Sequence, residues 1–245
     1  MHSDVGRRRG FFLTLEGPEG SGKSTQAHRL AGRLTAAGYH CTVTREPGGT
    51  RLGEEVRQII LHELTPVPAA DALLFNAARA QLVAEVIEPA LANGDVVICD
   101  RFADSTLAYQ GYGAGQPIEA LRAMAGYAAG GLVPDLTILI DLPPEDGLRR
   151  KRDSAEINRF ESTLDLGFHR RVRDGFLALA SAEPARFSVV DGRLSPEQTE
   201  IAIAEVLRPR LAGRDELRRS NTEPRSNDLP ADSSEPNGAS VRMNK

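Results

Sequence analysis

The 245-residue chain lacks tryptophan altogether and contains only two cysteines, Cys41 and Cys99. Neither cysteine forms a CxxC pair or stands in a cysteine–histidine cluster, which excludes the common zinc and dithiol redox motifs. Each lies inside an apolar run typical of a strand, so we expect two reduced, buried thiols. A chain of this length with 40% hydrophobic residues can bury a full core without disulfides or a structural metal.

Long apolar runs and a surplus of positive charge are also missing. The run FFLTL behind Arg7–Arg9 ends at Glu16, too early for the core of a signal peptide, and no run approaches the ~18 residues of a membrane span. The net charge is -4, with 30 basic and 34 acidic residues, so no basic field would attract nucleic acid or an anionic membrane. We therefore expect a cytoplasmic protein whose partner is a small molecule rather than nucleic acid or a membrane.

What the sequence does contain is an alternation of short apolar segments with helical patterns. Helical periodicity is clear over Ser24–Ala37 and Arg51–His62, and a longer helical stretch runs from about residue 69 to residue 92. Strands that alternate with helices predict an α/β fold, with a five-stranded parallel sheet flanked by helices. The segments predicted as strands are Phe11–Glu16, His40–Arg45, Asp95–Asp100, Leu136–Leu142 and Phe187–Gly192.

The two ends of the chain are expected to lie outside the folded domain. After about Gly213 the sequence is rich in Ser, Asn, Pro, Asp and Arg and poor in aliphatic residues. Such a segment cannot bury enough apolar surface to offset the entropy of ordering. We expect a flexible N-terminus over 1–10, one folded domain over 11–212 and a disordered tail over 213–245.

One glycine-rich segment carries recognisable chemistry. It reads GPEGSGKS, fits the phosphate-binding pattern G-x-x-x-x-G-K-[ST], follows a predicted strand and opens a predicted helix. Bare glycines let successive backbone N–H groups converge on phosphate oxygens, and the helix adds the positive end of its dipole. Lys23 is expected to reach the β- and γ-phosphates, and the Ser24 hydroxyl to ligate Mg²⁺. The candidate nucleotide-binding residues are Gly17, Pro18, Glu19, Gly20, Ser21, Gly22, Lys23, Ser24 and Thr25.

Two other interpretations of this loop compete with nucleotide transfer. A plain glycine-rich turn is the simplest of them. Switch GTPases also carry such a loop, but they need a guanine-reading N-K-x-D and usually a D-x-x-G, and neither string occurs in the sequence. The pattern therefore favours an ATP-using transferase.

Four further strings narrow the class of transferase. They are TREPGGT, LLFNAARAQL, DRFADSTLAYQG and PDLTILIDL, which begin at Thr44, Leu73, Asp100 and Pro134. Together with EGPEGSGKST they resemble bacterial thymidylate kinase, over about residues 11 to 211. The resemblance implies a P-loop NTPase fold of the nucleoside monophosphate kinase type with a helical lid, and a homodimer. It also implies the reaction, which is phosphorylation of dTMP to dTDP with ATP and Mg²⁺.

The resemblance assigns roles near the phosphates. The family's arginine that bridges donor and acceptor phosphates matches Arg101, and the aspartate that supports the magnesium region matches Asp100. Standing alone, this pair would be a surface ion pair at a strand end. Glu19 matches a carboxylate near the acceptor sugar and the magnesium, and Arg45 is expected to face the acceptor phosphate. Phosphoryl transfer depends mainly on positioning and on neutralising charge, so arginines at strand ends suit it.

The resemblance also assigns the acceptor base. Phe75 and Arg79 are four residues apart and share a helix face, where the family has its thymine-reading pair. Without that context, a core phenylalanine and a solvated arginine would be the expected interpretation. The segment lining the acceptor base and sugar matches Ser105, Thr106, Tyr109 and Gln110, and the family uses the Tyr109 equivalent to crowd out a ribose 2′-hydroxyl.

The expected lid is the segment RRKRDSAEINRFE, Arg149–Glu161, whose basic residues could also be a solvated helix face. Eukaryotic relatives hold an arginine where this chain has Gly20, and bacterial relatives with that glycine supply the arginine from the lid. We expect Arg152 to reach the phosphates, with Arg150 as the second choice, and Arg159 belongs to the family's E-x-x-R motif.

Two alternatives to thymidylate kinase remain open at this point. One is a kinase for another nucleoside or nucleotide, which acceptor assays would separate. The other is an ATP-binding regulatory protein that has lost catalysis, and the presence of Lys23, Arg101 and the lid arginines speaks against it.

The tail assignment gives a first prediction. Deleting Arg214–Lys245 should change the free energy of unfolding by no more than ~0.5 kcal/mol, as for ordinary surface changes, and activity should persist. Urea denaturation of the truncated and full-length chains measures this difference. A large fall in Tm on truncation would show that the tail docks on the domain.

Overall fold

The structure, a computed structural model, describes residues 10–63, 67–152 and 165–222. Side chains are described in those ranges except at residues 62, 63, 152 and 214–222. The predicted flexible N-terminus lies outside the described residues apart from Gly10, whose N–H donates to the carbonyl of Leu91 at 2.8 Å.

Five parallel strands form one sheet, as predicted. Its order is β2-β3-β1-β4-β5, so β1 lies in the centre. In the register, Leu15 of β1 pairs with Asp100 of β3, and Glu16 pairs with Leu139 of β4. The carboxyl ends of β1 and β3 therefore lie side by side, where open α/β sheets bind ligands. The strands are β1 Phe11–Glu16, β2 Cys41–Arg45, β3 Val96–Asp100, β4 Leu136–Asp141 and β5 Phe187–Asp191.

Helices connect the strands and cover both faces of the sheet. Those described are α1 Lys23–Ala36, α2 Arg51–Gln58, α3 Pro68–Leu82, α4 Glu88–Asn93, α5 Ala103–Thr106, α6 Ile118–Ala128, α7 Pro144–Arg152, α8 Leu166–Ala182 and α9 Pro196–Thr222. Three of them, α2, α3 and α5, continue into wider π-helical turns at Ile59–Glu63, Val83–Ile87 and Leu107–Gly113.

One of these π turns interrupts the long helix predicted from about residue 69 to residue 92. The turn at Val83–Ile87 separates α3 from α4 just before Pro89. Proline has no amide hydrogen to donate into the helical ladder, so the chain changes its hydrogen-bond spacing at this point.

The core forms because neighbouring strands present apolar side chains to the same face. Phe12 and Val97 are paired in register and belong to one buried cluster, which also contains Phe102 and Leu82. A second cluster, centred on Phe176 of α8, packs on the same side of the sheet through Leu139. The cysteines are both free: Cys99 is buried as expected, whereas Cys41, near the start of β2, is only half-buried.

The last helix enters the segment predicted as the tail, and the domain boundary at residue 212 stays a prediction. Helix α9 runs to Thr222, past the expected limit at Gly213, because the segment DELRR that follows contains strong helix formers. By its internal contacts the chain divides into one unit over Met1–Arg208 and another over Pro209–Lys245. Residues 223–245 of the predicted tail lie outside the described residues. Within the described ranges, no helix combines the length and apolar character that crossing a membrane requires.

Candidate active site

The glycine-rich segment Gly17–Ser24, hereafter the phosphate loop, joins β1 to α1. Its backbone has φ of 148° at Gly17 and 93° at Gly22, values in the region that glycine adopts readily and other residues rarely do. Lys23 is buried, and its Nζ donates to the carbonyls of Gly17 (3.1 Å) and Pro18 (2.9 Å). The loop thus folds around its own lysine.

Burial gives Lys23 an unusual acidity. Desolvation and the charge of Arg101 together lower the pKa of Lys23 to about 8, against the opposing effect of Glu19 and Asp100. A lysine with such a lowered pKa becomes fully protonated when an anion binds beside it, because the anion favours the charged form.

Arg101 links the phosphate loop to the end of β3. Among the described residues other than glycine, it alone has a positive φ, of 71°. Its Nη2 donates to Oε1 of Glu19 (2.8 Å) and to the hydroxyl of Tyr109 (3.0 Å), and its Nη1 donates to the carbonyl of Gly17 (3.1 Å). The guanidinium also lies 4.9 Å from the centre of the Tyr109 ring, within cation–π distance. One side chain therefore binds the loop, its acidic residue and the wall of the site.

Glu19 is ionised because of these neighbours. Burial alone would raise its pKa, but Arg101 and Lys23 lower it to about 2. Burial raises the pKa of Tyr109 well above its ordinary value, so the phenol keeps its proton and donates to Glu19 at 2.8 Å. The result is a carboxylate held between two cations and a hydroxyl.

Glu16, the last residue of β1, supports the turn that carries Arg101. Its carboxyl group is completely buried and accepts hydrogen bonds from the N–H of Phe102 (2.8 Å) and the hydroxyl of Ser105 (2.6 Å). Burial and the nearby charge of Asp104 raise the pKa of Glu16 to about 8. A strand residue thus fixes the first turn of α5 directly behind the arginine.

These elements surround one cavity of about 410 Å³ at the carboxyl ends of the strands. The structure brings together most of the side chains that the sequence predicted for nucleotide and acceptor. The predicted residues in its wall are Glu19, Gly20, Gly22, Lys23, Ser24, Thr25, Arg45, Phe75, Asp100, Arg101, Ser105, Thr106, Tyr109, Gln110 and Arg150. Gly17, Pro18 and Ser21 belong to the same loop but do not line the cavity.

Arg79 lies behind the cavity wall rather than in it. It is 1% exposed and forms an ion pair with Glu46, from its Nη2 to Oε2 at 2.7 Å. Its Nη1 donates to Asn76 at 2.7 Å, and its Nη2 also reaches Thr106 at 3.0 Å. Phe75, its predicted partner, does line the cavity. The guanidinium is therefore an anchored part of the wall, joined to two residues that face the cavity.

Ser24 and Asp100 meet at the ends of the loop and of β3, where the Ser24 hydroxyl donates to Oδ2 of Asp100. The described residues contain no cluster of three or more His, Cys, Asp or Glu side chains that could hold a metal by themselves. Mg²⁺ is ordinarily held by one or two carboxylates together with substrate phosphates and waters. One hydroxyl and one carboxylate beside a phosphate loop fit that donor set.

Helix α7 forms the described base of the expected lid. The Nη1 of Arg150 donates to the carbonyls of Gly20 (3.4 Å) and Gly192 (3.0 Å), and Lys151 lines the cavity. Arg152 ends the helix, but its side chain lies outside the described residues, as does Arg159. The preference for Arg152 over Arg150 stays a prediction.

Sequence reasoning missed several residues of the site. Glu46 and Pro47 line the cavity, and Arg57 joins them by donating from Nη1 to the carbonyl of Pro47 at 3.0 Å. Glu46 was within reach, since the TREPGGT string contains it. Nothing in the spacing marked Arg57, because an arginine on an amphipathic helix is ordinarily solvated.

Comparisons with known proteins agree on one family. A sequence profile described as thymidylate kinase matches residues 15–203. The chain is 52% identical over 195 residues to the thymidylate kinase of Deinococcus radiodurans, covering 79% of this chain and 94% of that one. It is 49% identical over 212 residues to the thymidylate kinase of Geobacter sulfurreducens, covering 84% of this chain and 100% of that one.

The same family appears among solved structures. The crystal structure of thymidylate kinase from Ehrlichia chaffeensis superposes with a TM-score of 0.67 at 34% identity, covering 81% of this chain and 98% of that one. This likeness, with the all-parallel sheet, confirms the predicted P-loop NTPase fold.

The burial of Glu16 gives a prediction on stability. Between its unfolded-state pKa of 4.5 and its folded pKa of about 8, the folded protein holds a proton that the unfolded chain has released. Stability due to this group therefore falls as the pH rises through that window. Glu16→Gln, which cannot ionise, should gain stability relative to wild type from about pH 5 to about pH 8, as measured by urea denaturation at several pH values.

The matched control for that series is Glu88→Gln, which removes an exposed carboxylate from α4. A stability difference between wild type and Glu16→Gln that stays constant with pH would contradict the assignment.

Proposed function

Since the chain belongs to the thymidylate kinase family and is a phosphotransferase, we propose that its cavity transfers the γ-phosphoryl group of ATP to dTMP. The single observation that supports this most is the position of Arg101. Its guanidinium lies between the phosphate loop and the side chains predicted for the acceptor, with bonds to both. For transfer between two nucleotides, the donor and acceptor phosphates must meet between the donor side and the acceptor side, where Arg101 lies.

The donor side is assigned to the phosphate loop. The backbone N–H groups of the loop and the Nζ of Lys23 would hold the β- and γ-phosphates of ATP. Ser24 and Asp100 would hold Mg²⁺, which neutralises phosphate charge when bound. Before ATP arrives, the Nζ of Lys23 donates to carbonyl oxygens of the loop, and these bonds hold the amino group at the proposed phosphate site.

The acceptor side is assigned to the opposite wall. Phe75 would stack on the thymine ring, and Thr106 and Gln110 lie beside the base and sugar. Arg45 and Arg57 both line the cavity and would meet the acceptor phosphate. Bringing two arginines to one anion offsets the repulsion between donor and acceptor phosphates.

Glu19 and Tyr109 hold the acceptor sugar in this proposal. The hydroxyl of Tyr109 and the carboxylate of Glu19 are bonded at 2.8 Å and both face the cavity. A deoxyribose hydroxyl could donate to Glu19, whereas an additional 2′-hydroxyl would meet Tyr109. The pair thus favours a deoxyribonucleotide.

The remaining parts of the proposal concern the whole molecule. The catalytic domain spans 11–212, and a cation from α7 or from the lid beyond it, Arg152 first, neutralises the transferred group. The family supports a homodimer and a cytoplasmic location. Sedimentation velocity of the full chain tests the dimer.

The titration of Lys23 gives a prediction on ATP binding. At about pH 8 a lysine with a pKa of about 8 is half protonated, and phosphate favours the charged form, so binding of ATP should take up roughly half a proton. Calorimetry in two buffers of different ionisation enthalpy measures this uptake. Lys23→Ala should abolish the uptake and lower kcat by at least ~100-fold, as for loss of one preorganised charge donor.

The fold of Lys23→Ala should survive, and its Tm is the control. Proton uptake that persists in the variant, or near-wild-type turnover, would remove Lys23 from the phosphate site.

Base choice gives a second prediction. Arg79 lies directly behind the wall, bonded to Glu46 and Thr106. A shift of its side chain when the acceptor binds would let the guanidinium donate to the 4-carbonyl of thymine. The amino group of cytosine would meet it donor to donor, so dCMP should be rejected by as much as ~10⁴-fold in kcat/KM. Uracil lacks only a methyl group, worth ~1–3 kcal/mol, so dUMP should be a poorer but real substrate. Turnover that is highest with dCMP or dUMP would favour the alternative, a kinase for another nucleotide.

Two variants separate stacking from base reading. Phe75→Ala should weaken all three acceptors together, whereas Arg79→Ala should selectively reduce the preference for dTMP over dCMP. Because removing Arg79 leaves Glu46 buried without its partner, Arg79→Lys is the matched variant, which keeps the charge and loses the planar fork. An unchanged ratio in both Arg79 variants would limit this residue to a structural role.

A further inference from the structure

The phosphate loop and helix α7 touch backbone to backbone at two glycines, Gly20 and Gly147. A Cβ placed on Gly20 would lie 2.2 Å from the carbonyl oxygen of Gly147, and a Cβ on Gly147 would lie 2.1 Å from the carbonyl oxygen of Glu19. Real Cβ atoms essentially never come within 3.0 Å of a heavy atom outside their own residue and its chain neighbours. The contact therefore exists only because neither residue has a side chain.

Some helical glycines are closely packed, such as Gly53 of α2, where an added Cβ would lie 2.5 Å from the carbonyl oxygen of Gly48, and others are not. Gly32 of α1 and Gly126 of α6 have nothing within 4 Å of the position of an added Cβ. At those places a side chain would extend into open space. Glycine at position 147 destabilises the helix relative to alanine, but the close contact with the phosphate loop requires it.

The contact determines where the cations of α7 lie. Arg150, three residues after Gly147, is near enough to donate to the carbonyl of Gly20 at 3.4 Å and to that of Gly192 at 3.0 Å. Lys151 follows and lines the cavity beside the loop. Both cations reach the phosphate site from a helix whose distance from the loop is set at Gly147.

The same contact explains why the loop carries no arginine at position 20. Gly20 has φ of 71° and faces the backbone of α7, so an arginine there could fit only if α7 moved away. A helix seated on the loop and an arginine in the loop are therefore mutually exclusive.

We propose that Gly147 is a positioning residue for phosphoryl transfer: it seats α7 on the phosphate loop so that Arg150 and Lys151 act on the ATP phosphates. This rests on the proposed function for the identity of the donor. Gly147 touches no reacting group and acts only through the two cations that follow it.

The test compares Gly147→Ala with Gly126→Ala. Both changes replace a helical glycine with a better helix former, so they share the effect on propensity, and only the first forces α7 off the loop. Displacements of about 1 Å in a phosphoryl-transfer site can cost up to ~100-fold in rate. We expect Gly147→Ala to lower kcat by at least ~10-fold and to weaken binding of Mg²⁺ with the non-hydrolysable analogue AMPPNP in calorimetry.

Binding of dTMP should be unchanged in Gly126→Ala and should fall less than binding of AMPPNP in Gly147→Ala, because Glu19 meets Gly147 through its backbone whereas Phe75, proposed to stack on the base, lies on α3. An equal loss of dTMP and AMPPNP affinity, or loss of the folded state in Gly147→Ala, would assign the residue to general stability and overturn the proposal. Full activity in Gly147→Ala would overturn it as well.

A double-mutant cycle with Arg150→Ala tests the route of the effect. If Gly147 acts through Arg150, the kcat penalty of Arg150→Ala should be much smaller in the Gly147→Ala background than in wild type. Equal penalties in the two backgrounds would contradict the proposal. Binding of AMPPNP is measured without turnover. If the wild type did not phosphorylate dTMP, the proposed function would be refuted, but the role of Gly147 in positioning α7 on the phosphate loop could still be tested by AMPPNP binding.

Discussion

The site depends on one partly buried guanidinium that must be satisfied on every side. Arg101 is removed from much of the solvent, and a charge in that position is stable only if it is paired and hydrogen-bonded. Glu19, the carbonyl of Gly17 and the hydroxyl of Tyr109 supply those bonds. Gly17 and Glu19 belong to the phosphate loop and Tyr109 to the acceptor wall, so satisfying Arg101 brings the loop, the end of β3 and the acceptor wall together.

The rest of the site can be traced from this requirement. The positive φ at Arg101 is an uncommon backbone state that neighbouring bonds must hold, and Glu16 provides them from beneath through Phe102 and Ser105. The positive charge of Arg101 also affects ionisation in the site, since it lowers the pKa values of both Glu19 and Lys23. Electrostatic preorganisation of this kind works because the groups need not reorganise when phosphate charge arrives.

Local sequence signals predicted the sheet and much of the cavity, because each signal resides in one segment. Apolar runs such as Val96–Asp100 are readable alone, and the phosphate loop carries its glycines and lysine in eight residues. The ion pair of Arg79 with Glu46 joins residues 33 apart, and the contact of Gly20 with Gly147 joins two distant segments. Such contacts leave no periodicity in the chain, so only the fold reveals them. The extension of α9 to Thr222, into the segment predicted as a tail, has a different reason: composition describes a whole segment, whereas helix propensity acts residue by residue.

The central claim is that the fork of Arg101, and not merely its charge, organises transfer. The most direct measurement is kcat for dTMP phosphorylation in Arg101→Lys, which keeps the charge but cannot bind Glu19, Gly17 and Tyr109 together. Arg29→Lys, at an ion pair between α1 and α9, is the matched control. The account predicts a loss of ~100-fold or more in kcat for Arg101→Lys, as for removal of one preorganised donor, and near-wild-type kcat for the control. Turnover of Arg101→Lys within about twofold of wild type, well below the loss expected for such a donor, would contradict it.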